Sequence, residues 1–490
     1  MRREKNFTKR TSSWMAVLTV GLCLPVDGEE SEDKGKELKA YRAARIVVSG
    51  GDEVAPGVLL VRGDRVEDVL PADRDLPEKT EVVDLGSAVI YPGLVNPLSA
   101  ISESSYRSGA GIASRSGSSP SDSRKSVALS RVNPLDTVYR RLGRTGYTSI
   151  AIVPSDRGAL IAGRASVIKP RRGGETEAKE LAVVEKSFLF LGFSSGKAWH
   201  DAAVKTLKAA ADKIVKEREA KKKAAEAAKK KTAEEAKKKA AEAAKKKAET
   251  PKPDVKKPPQ PPPTPRPPTP RRPIPGRTPR TPSARPPTTA KPPPPPDPLI
   301  QVFKGEVTAV LRVRSPAAMD HLFRFLDSLP EPFHFILVTG SQPPEVVDRL
   351  AARKKRIRGV ILEPSMGKLW ETTIFVNTAR LFLEHDFEVA FVPLRDDLEG
   401  FRTVFYYLAE LVKSGVRPQE AIRGVTTVPA KFLGLEGKVG VLKKDAFANF
   451  AVYDRDPLTG TALLQRVYLE GKEIFHDDPS KDILRGEAVR

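Results

Sequence analysis

The amino-acid sequence predicts an α/β protein, a parallel β-sheet covered by helices and interrupted by one long insertion. From Asn133 onward, short apolar strand patterns alternate with amphipathic helical patterns, an alternation typical of strands joined by helical crossovers. Residues 201–297 break this alternation with a composition rich in Lys, Ala and Pro. The length of 490 residues allows about three domains.

Composition and charge limit the possible classes of function. The sequence is 39% hydrophobic and has a formal net charge of +22, of which residues 201–297 carry +16 and residues 1–10 carry +4. The rest of the chain is therefore close to neutral, unlike a nucleic-acid-binding core, whose cations lie on the fold itself. The single cysteine, Cys23, excludes a disulfide scaffold and a cysteine-based zinc site.

The first 28 residues have the layout of a secretory signal peptide. Residues 1–10 are basic, residues 14–25 are mostly apolar, and Val26 and Gly28 are small, as residues before a cleavage site usually are. The apolar run is too short to span a bilayer, and no other stretch reaches about 18 apolar residues. We expect an exported chain (periplasmic, cell-envelope or secreted) without a membrane span in its mature form. The alternative is a frayed N-terminal helix.

Strands are predicted first as hairpins and then as sheet strands. Glycine-containing turns at 50–51 and 63–64 separate apolar runs, which is the signal of β-hairpins. Residues 99–127 are rich in Ser, Gly and Arg and predict a long loop, and a helix follows at 133–143. The predicted strands are 45–48, 57–61, 65–70, 148–153, 188–191, 307–313, 335–338, 359–362 and 389–394.

The insertion has two parts. Residues 204–218 place apolar side chains on one helical face, so this segment can dock on a core. The segment that follows repeats every eight residues, which is two helical turns plus about 80°. Equivalent side chains therefore rotate around the helix from one repeat to the next and form no continuous apolar seam, so a solvated single helix is predicted. Residues 251–298 hold 23 of the 44 prolines and predict an extended or disordered segment. The lysines could bind an anionic envelope polymer or membrane surface, or the segment could be a spacer.

Several segments, in order along the chain, resemble the amidohydrolase superfamily, in particular its imidazolonepropionase-like metal-dependent hydrolases. Residues 83–95 resemble the entry pattern DLGG..v.PGLIDxHxH. Residues 426–430 resemble the T-x-x-P-A motif, and residues 437–454 resemble the GsI..GkdADlvv.d pattern near the carboxyl terminus. The matching segments are 83–95, 146–154, 415–422, 426–430, 437–454 and 467–474.

This resemblance implies a distorted (β/α)₈ TIM-like barrel, with a small β-sandwich formed by both chain ends. Only about seven barrel strands are evident in the sequence, so the eighth is expected to be irregular or lost. The implied organisation is a signal peptide at 1–28, a β-sandwich from 42–91 and 435–476, a barrel from 92–200 and 298–434, and the helical and Pro-rich insertion at 201–297.

The resemblance also implies hydrolysis of non-peptide C–N bonds by one or two divalent metals such as zinc, which activate a bound water. The metal-binding histidines are not found at the matching positions. Leu98 and Ala100 stand at the two first-strand positions, Arg314 at the fifth-strand position and Thr339 at the sixth. An arginine there would repel a metal ion. Phe193 stands where the superfamily has an acidic residue, so we expect no metal and no other cofactor.

Asp396 is the one candidate catalytic residue. It matches the eighth-strand aspartate that serves the superfamily as general base and metal ligand, but without a metal it cannot generate hydroxide. Because Arg395 and Asp397 flank it, the alternative is a surface carboxylate. The five histidines are expected in packing or surface positions, away from the carboxyl ends of strands: His200, His321, His334, His385 and His476.

Three hypotheses remain open. The first is a catalytically degenerate superfamily member that binds a small molecule, or pairs with an active homologue or a second copy of itself. Its site would present Arg314, Thr339 and Asp396 and would suit an anion. The second is an active C–N hydrolase with an atypical site. The third is an envelope interaction protein that acts through 216–297. Nucleic acid is not an expected partner.

Overall fold

The computed structural model describes residues 37–101, 121–154, 159–193, 197–248, 296–313, 316–340, 342–368 and 372–477. The signal-peptide prediction for 1–28 lies outside these residues and stays a prediction. The described α-helices are α1 (Thr137–Leu142), α2 (Ala178–Leu181), α3 (Lys197–Ala203), α4 (Ala209–Ala248), α5 (Pro298–Lys304), α6 (Pro316–Asp327), α7 (Pro344–Ala351), α8 (Thr378–Glu384), α9 (Leu398–Arg402), α10 (Val404–Lys413), α11 (Pro418–Arg423) and α12 (Thr427–Phe432).

The described β-strands fall in two regions of the chain. Those before residue 100 are β1 (Leu38–Ala43), β2 (Arg45–Ser49), β3 (Asp52–Val54), β4 (Gly57–Arg62), β5 (Arg65–Pro71), β6 (Glu81–Asp84), β7 (Val89–Pro92) and β8 (Leu94–Ser99). The later ones are β9 (Ser121–Asp122), β10 (Tyr147–Ile152), β11 (Ala159–Arg164), β12 (Ser166–Ile168), β13 (Ala182–Val184), β14 (Leu189–Gly192), β15 (Ala309–Arg312), β16 (Phe335–Val338), β17 (Ile357–Leu362), β18 (Gly367–Lys368), β19 (Phe375–Val376), β20 (Val389–Phe391), β21 (Phe450–Tyr453), β22 (Leu464–Leu469) and β23 (Lys472–His476).

The predicted parallel arrangement is found in a seven-stranded sheet with the order β20-β17-β16-β15-β14-β11-β9. Strands β14, β15, β16, β17 and β20 pair in parallel, and helices connect β15 to β16, β16 to β17 and β17 to β20. The observed bounds differ from the predicted ones by a few residues. β15 begins at Ala309 and not at 307, and α1 begins at Thr137, after its N-cap residue Asp136, and not at 133. The Asp136 carboxylate accepts a hydrogen bond from the Val138 backbone N–H at 3.0 Å.

A second, four-stranded sheet has the order β13-β12-β10-β8, in which β8 and β10 run parallel. An antiparallel arm that the sequence patterns missed links the two sheets, since β11 pairs with β14 and β12 pairs with β10. The arm bends at Gly163, whose φ is +129°. The Ser126 carbonyl occupies the space that a side chain would need there, so this position requires glycine.

The strands of these two sheets bury apolar side chains on both faces. Leu311 of β15 packs against the helices, whereas its neighbour Val310 points the other way into a second apolar cluster. α12 contributes Phe432 to that cluster, and its ring fills the space that a side chain at Gly359 would need. The strand residues that share the second cluster include Val95, Ala151, Val167, Phe190, Val310, Ile336, Ile361 and Ala390.

Two further sheets are formed by strands near the ends of the chain. One has the order β5-β4-β1-β6 and uses only strands before residue 85, and the other has the order β23-β22-β21-β7-β2-β3 and combines strands from both ends. In the second sheet β7 pairs with β21 in antiparallel register, with Tyr91 opposite Ala451. The two sheets share one core, in which the rings of Phe450 and Tyr468 stack at 4.3 Å.

Helix α4 begins on the protein surface and then extends into solvent. Ile214 is buried near its base, the Arg218 guanidinium lies 2.5 Å from the Glu331 carboxylate, and the Lys304 ammonium lies 3.0 Å from the Glu217 carboxylate. Every described side chain from 219 to 234 is exposed, as the octapeptide repeat predicts. No helix in the described ranges has the length and apolarity needed to cross a membrane. Residues 249–295 lie outside the described residues.

Candidate functional site

Asp396 lies between β20 and α9, and its carboxylate is held by the end of β8. The Ser99 hydroxyl donates a hydrogen bond to Asp396 Oδ1 at 2.6 Å, and the Ala100 backbone N–H donates to Oδ2 at 2.5 Å. Arg395, next in sequence, pairs instead with Asp397 and Glu399 at 2.6 and 3.2 Å. Asp396 is thus tied to a neighbouring strand, which an isolated surface carboxylate would not be.

Ser99, which the sequence patterns did not single out, is the principal partner of Asp396. The residue is 1% exposed, and its hydroxyl oxygen also accepts a hydrogen bond from the Ile101 backbone N–H at 3.2 Å. Its proton is therefore directed to a carboxylate and its oxygen is shielded from solvent. This hydroxyl positions Asp396 and is not presented as a nucleophile.

Two more charged residues lie at the carboxyl ends of strands, Arg312 at the end of β15 and Glu363 directly after β17. The Arg312 guanidinium lies over the Phe190 ring, 5.0 Å from its centroid, and its charge acts on the carboxyls of both Glu363 and Asp396. We call Ser99, Arg312, Thr339, Glu363 and Asp396 the carboxyl-end cluster.

Both carboxyls of this cluster have raised pKa values. Burial among protein atoms raises the pKa of Asp396 more than the hydrogen bonds from Ser99 and Ala100 and the charge of Arg312 lower it. Burial likewise raises the pKa of Glu363, and Arg312 opposes that effect. Both residues still have exposed surface, so solvent screens these interactions. A carboxyl with a raised pKa can hold a proton nearer to neutral pH.

Thr339, at the predicted sixth-strand position, serves a neighbouring loop. The residue is 5% exposed, and its hydroxyl accepts a hydrogen bond from Gln342 Nε2 at 2.8 Å. The Gln342 backbone N–H in turn donates to the Thr378 hydroxyl at 3.3 Å. The Gln342 side-chain oxygen is buried and has no hydrogen-bond partner within the described ranges. These contacts fix the loop after β16 against α8.

No protein-family model matches the chain, and no curated protein matches it. Solved structures do. An amidohydrolase from Thermotoga maritima MSB8 matches with a TM-score of 0.57 at 18% identity, over 90% of this chain and 100% of that one. The chain has the amidohydrolase fold. The level of identity shows a shared fold and does not carry over an activity.

Two further solved structures match with TM-scores below 0.5. A β-aspartyl dipeptidase from Fervidobacterium islandicum AW-1 has a TM-score of 0.45 at 12% identity, over 90% of this chain and 97% of that one. An N-isopropylammelide isopropylaminohydrolase from Burkholderia multivorans ATCC 17616 has a TM-score of 0.44 at 12% identity, over 89% and 98%. The fold likeness rests on the Thermotoga structure.

The described donors of this amidohydrolase-fold chain do not fit a metal ion. Leu98 is 8% exposed and belongs to the second apolar cluster, against which Ala100 also packs. Phe193 packs on the Trp199 ring at 4.2 Å. Within the described ranges, no group of three or more His, Cys, Asp and Glu side chains could hold a metal. Arg314 lies outside the described residues.

The described histidines lie outside the carboxyl-end cluster. His321 lies on α6 and His334 directly precedes β16. The His385 imidazole lies 3.0 Å from the Asp348 carboxylate, and the His476 imidazole lies 3.6 Å from that of Glu473. His200 belongs to α3, and its side chain is not described. These four placements agree with packing and surface roles.

Proposed function

We propose that this protein is a superfamily member that has lost metal-dependent hydrolysis and instead binds a small polar ligand, alone or together with an active homologue or a second copy of itself. One observation carries the proposal. The carboxyl ends of the strands carry Arg312, Glu363 and Asp396, whereas Leu98 and Ala100 pack in the second apolar cluster and their side chains offer no metal-ligating atom. The Arg312 guanidinium is a permanent cation and would repel a metal ion at this end of the strands.

We also propose that the seven-stranded sheet and the four-stranded sheet β13-β12-β10-β8 form one distorted barrel. Its eight positions would be β8, β10, the β11–β12 arm, β14, β15, β16, β17 and β20. The second apolar cluster supports this arrangement because it takes side chains from every one of these positions. Closure between β20 and β8 is supported by residues 424–425, which bond to both strands. The Phe391 N–H of β20 donates to the Gly424 carbonyl at 2.7 Å, and the Val95 N–H of β8 donates to the Val425 carbonyl at 2.9 Å.

The cluster has the chemistry for binding rather than for bond cleavage. Arginine stays protonated at all physiological pH values and does not act as a base. Asp396 already accepts hydrogen bonds through both carboxylate oxygens. The positive charge of Arg312 and the Glu363 carboxyl suit a polar ligand that has both an acceptor and a donor, such as an amide. The sequence patterns alone predicted a site for an anion. Because Glu363 adds a negative charge at this site, we now favour a polar ligand with both a donor and an acceptor over a simple anion.

Metal analysis of the purified protein tests this proposal. We expect substoichiometric metal in the protein, and gain of zinc binding in a Leu98→His, Ala100→His variant, in which two imidazoles alternate along β8 beside Asp396. A Leu98→Gln, Ala100→Ser variant controls for added polarity. Stoichiometric zinc in the unmodified protein, or turnover of cyclic amides or dipeptides that Asp396→Asn abolishes, would establish the active-hydrolase alternative.

The exposure of α4 supports a second candidate function, which the insertion would carry out. Its described side chains from 219 to 234 are solvated on every side, and the lysine triplets at 221–223 and 229–231 recur with a period of eight residues. We propose that this helix contacts an anionic envelope polymer, which requires that the protein is exported. Deleting 216–297 should abolish retention in the envelope fraction while barely changing the stability of the remaining protein.

A further inference from the structure

A groove of about 870 Å³ lies apart from the carboxyl-end cluster. It is bordered by the turn after α1, the start of α10 and the hairpin of β22 and β23. None of its lining residues belongs to the cluster. The volume is in the range of small-molecule sites.

The groove has a buried apolar floor and an exposed apolar rim. Phe405 and Tyr453 are 7% and 5% exposed at the floor, whereas Tyr406 and Leu463 are 54% and 65% exposed at the rim. Such large exposed side chains are few in the described part of the chain, and here two of them face one cavity. Converging exposed apolar side chains mark a surface that is covered in use.

Two arginines give the groove its charge. Arg144 and Arg402 both line it and are exposed, and neither has an ion pair with a described carboxylate. The Arg144 guanidinium lies over the Phe475 ring, 5.9 Å from its centroid. Asp477 is the one carboxylate among the lining residues, and the nearby His476 imidazole faces Glu473 at 3.6 Å. The balance of fixed charge in the groove is therefore positive.

We infer that this groove binds a small amphipathic organic anion, with an apolar body on Phe405 and Phe475 and its anionic head between Arg144 and Arg402. The apolar surface supplies the driving force for the body, because it is removed from water on binding. The arginines supply charge-assisted hydrogen bonds to the head. This site is separate from the proposed function and does not depend on it.

The probe is 8-anilinonaphthalene-1-sulfonate, an aromatic ring system with one anionic group. Titrated into the full-length protein, it should give saturable fluorescence enhancement, and an Arg144→Met, Arg402→Met variant should bind it about tenfold more weakly or worse. An Arg140→Met, Arg141→Met variant removes the same charge from exposed residues of α1 outside the groove and should bind normally. Circular dichroism checks that both variants are folded.

Two further measurements make the result decisive. Leu463→Glu places a negative charge on an exposed rim position without disturbing the core, and it should also weaken binding. The neutral analogue 1-anilinonaphthalene lacks the head group and should bind more weakly than the sulfonate. The inference is overturned by absence of saturable binding, by equal losses in the two arginine variants, by unchanged binding in Leu463→Glu, or by equal affinity for the neutral analogue.

Discussion

The Ser99 hydroxyl donates a 2.6 Å hydrogen bond to the Asp396 carboxylate across 297 residues of sequence. This bond connects the end of β8 to the segment after β20. Its neighbours in sequence, Arg395 and Asp397, pair with each other, which leaves Asp396 free to face β8. Asp396 therefore contacts the end of β8, whereas the charged residues on either side of it in sequence contact each other.

Replacing Ser99 by alanine should lower the free energy of unfolding by about 1 kcal/mol, a value reduced from the usual range for charged hydrogen bonds because Asp396 is partly solvated. Urea denaturation of the two proteins measures the difference.

Ser149 on the neighbouring strand β10 is a matched control for that change. It is also buried, but its hydroxyl has no hydrogen-bond partner among the described residues. Ser149→Ala should therefore be neutral or slightly stabilising, since a buried unpaired hydroxyl is removed. Equal destabilisation by the two substitutions would mean that the bond to Asp396 contributes nothing.

Arg312 should be energetically coupled to Glu363. Arg312→Met removes the cation that favours the ionised carboxyl, and a following Glu363→Gln substitution should recover part of the lost stability. We expect a coupling free energy of about 0.5–1 kcal/mol, kept small by solvent screening. A double-mutant cycle from urea denaturation curves measures it.

Arg395 provides the control cation for this cycle. Its contacts are with Asp397 and Glu399, so Arg395→Met and Glu363→Gln should have additive effects. Additivity in the Arg312 cycle as well would mean that this guanidinium does not interact with the Glu363 carboxyl.

The raised pKa of Glu363 predicts a pH dependence. Its ordinary value is 4.5 and burial raises it in the folded state, so the folded protein holds this proton at pH values where the unfolded chain releases it. Stability from this group is present below pH 4.5 and is lost as the pH rises through the folded pKa. The Tm of Glu363→Gln minus the Tm of the wild type should therefore increase from pH 3.5 to pH 7. A decrease in this difference over the same range would contradict the sign of the pKa shift.

Helix α4 should respond to substitution differently at its base and along its solvated length. Ile214→Ala opens a cavity beneath a residue that is 2% exposed, and we expect a loss of about 2–4 kcal/mol in the free energy of unfolding. Ala224→Gly lowers helix propensity by about 1 kcal/mol, but it should leave the unfolding midpoint of the docked part unchanged. Thermal unfolding followed by near-ultraviolet circular dichroism distinguishes the two effects, and equal midpoint shifts would place 224 on the core.

The parts of the fold that could be predicted from sequence are those with strong local patterns. Strand β16 matches the prediction at both ends because its apolar run is short and bounded by polar residues. The β11–β12 arm was missed because its conformation depends on pairing with β14 and β10 and on the bend at Gly163. Such long-range pairing leaves no periodic signal in the segment itself.

The candidate site was predicted only in part, for a similar reason. Asp396 could be found because a family motif marks it, but Ser99, Arg312 and Glu363 come from strands that meet only in the folded chain. A weaker signal was present. Arg312 and Glu363 are charged residues at the ends of apolar strands, and side chains at the carboxyl ends of parallel strands gather at one edge of the sheet.

The solvated length of α4 gives the protein a long reach. The 30 residues from 219 to 248 rise about 1.5 Å each, so the helix tip stands about 45 Å from the docked base. Anything held at the tip therefore stands farther from the docked base than the diameter of a small domain, which is about 30 Å.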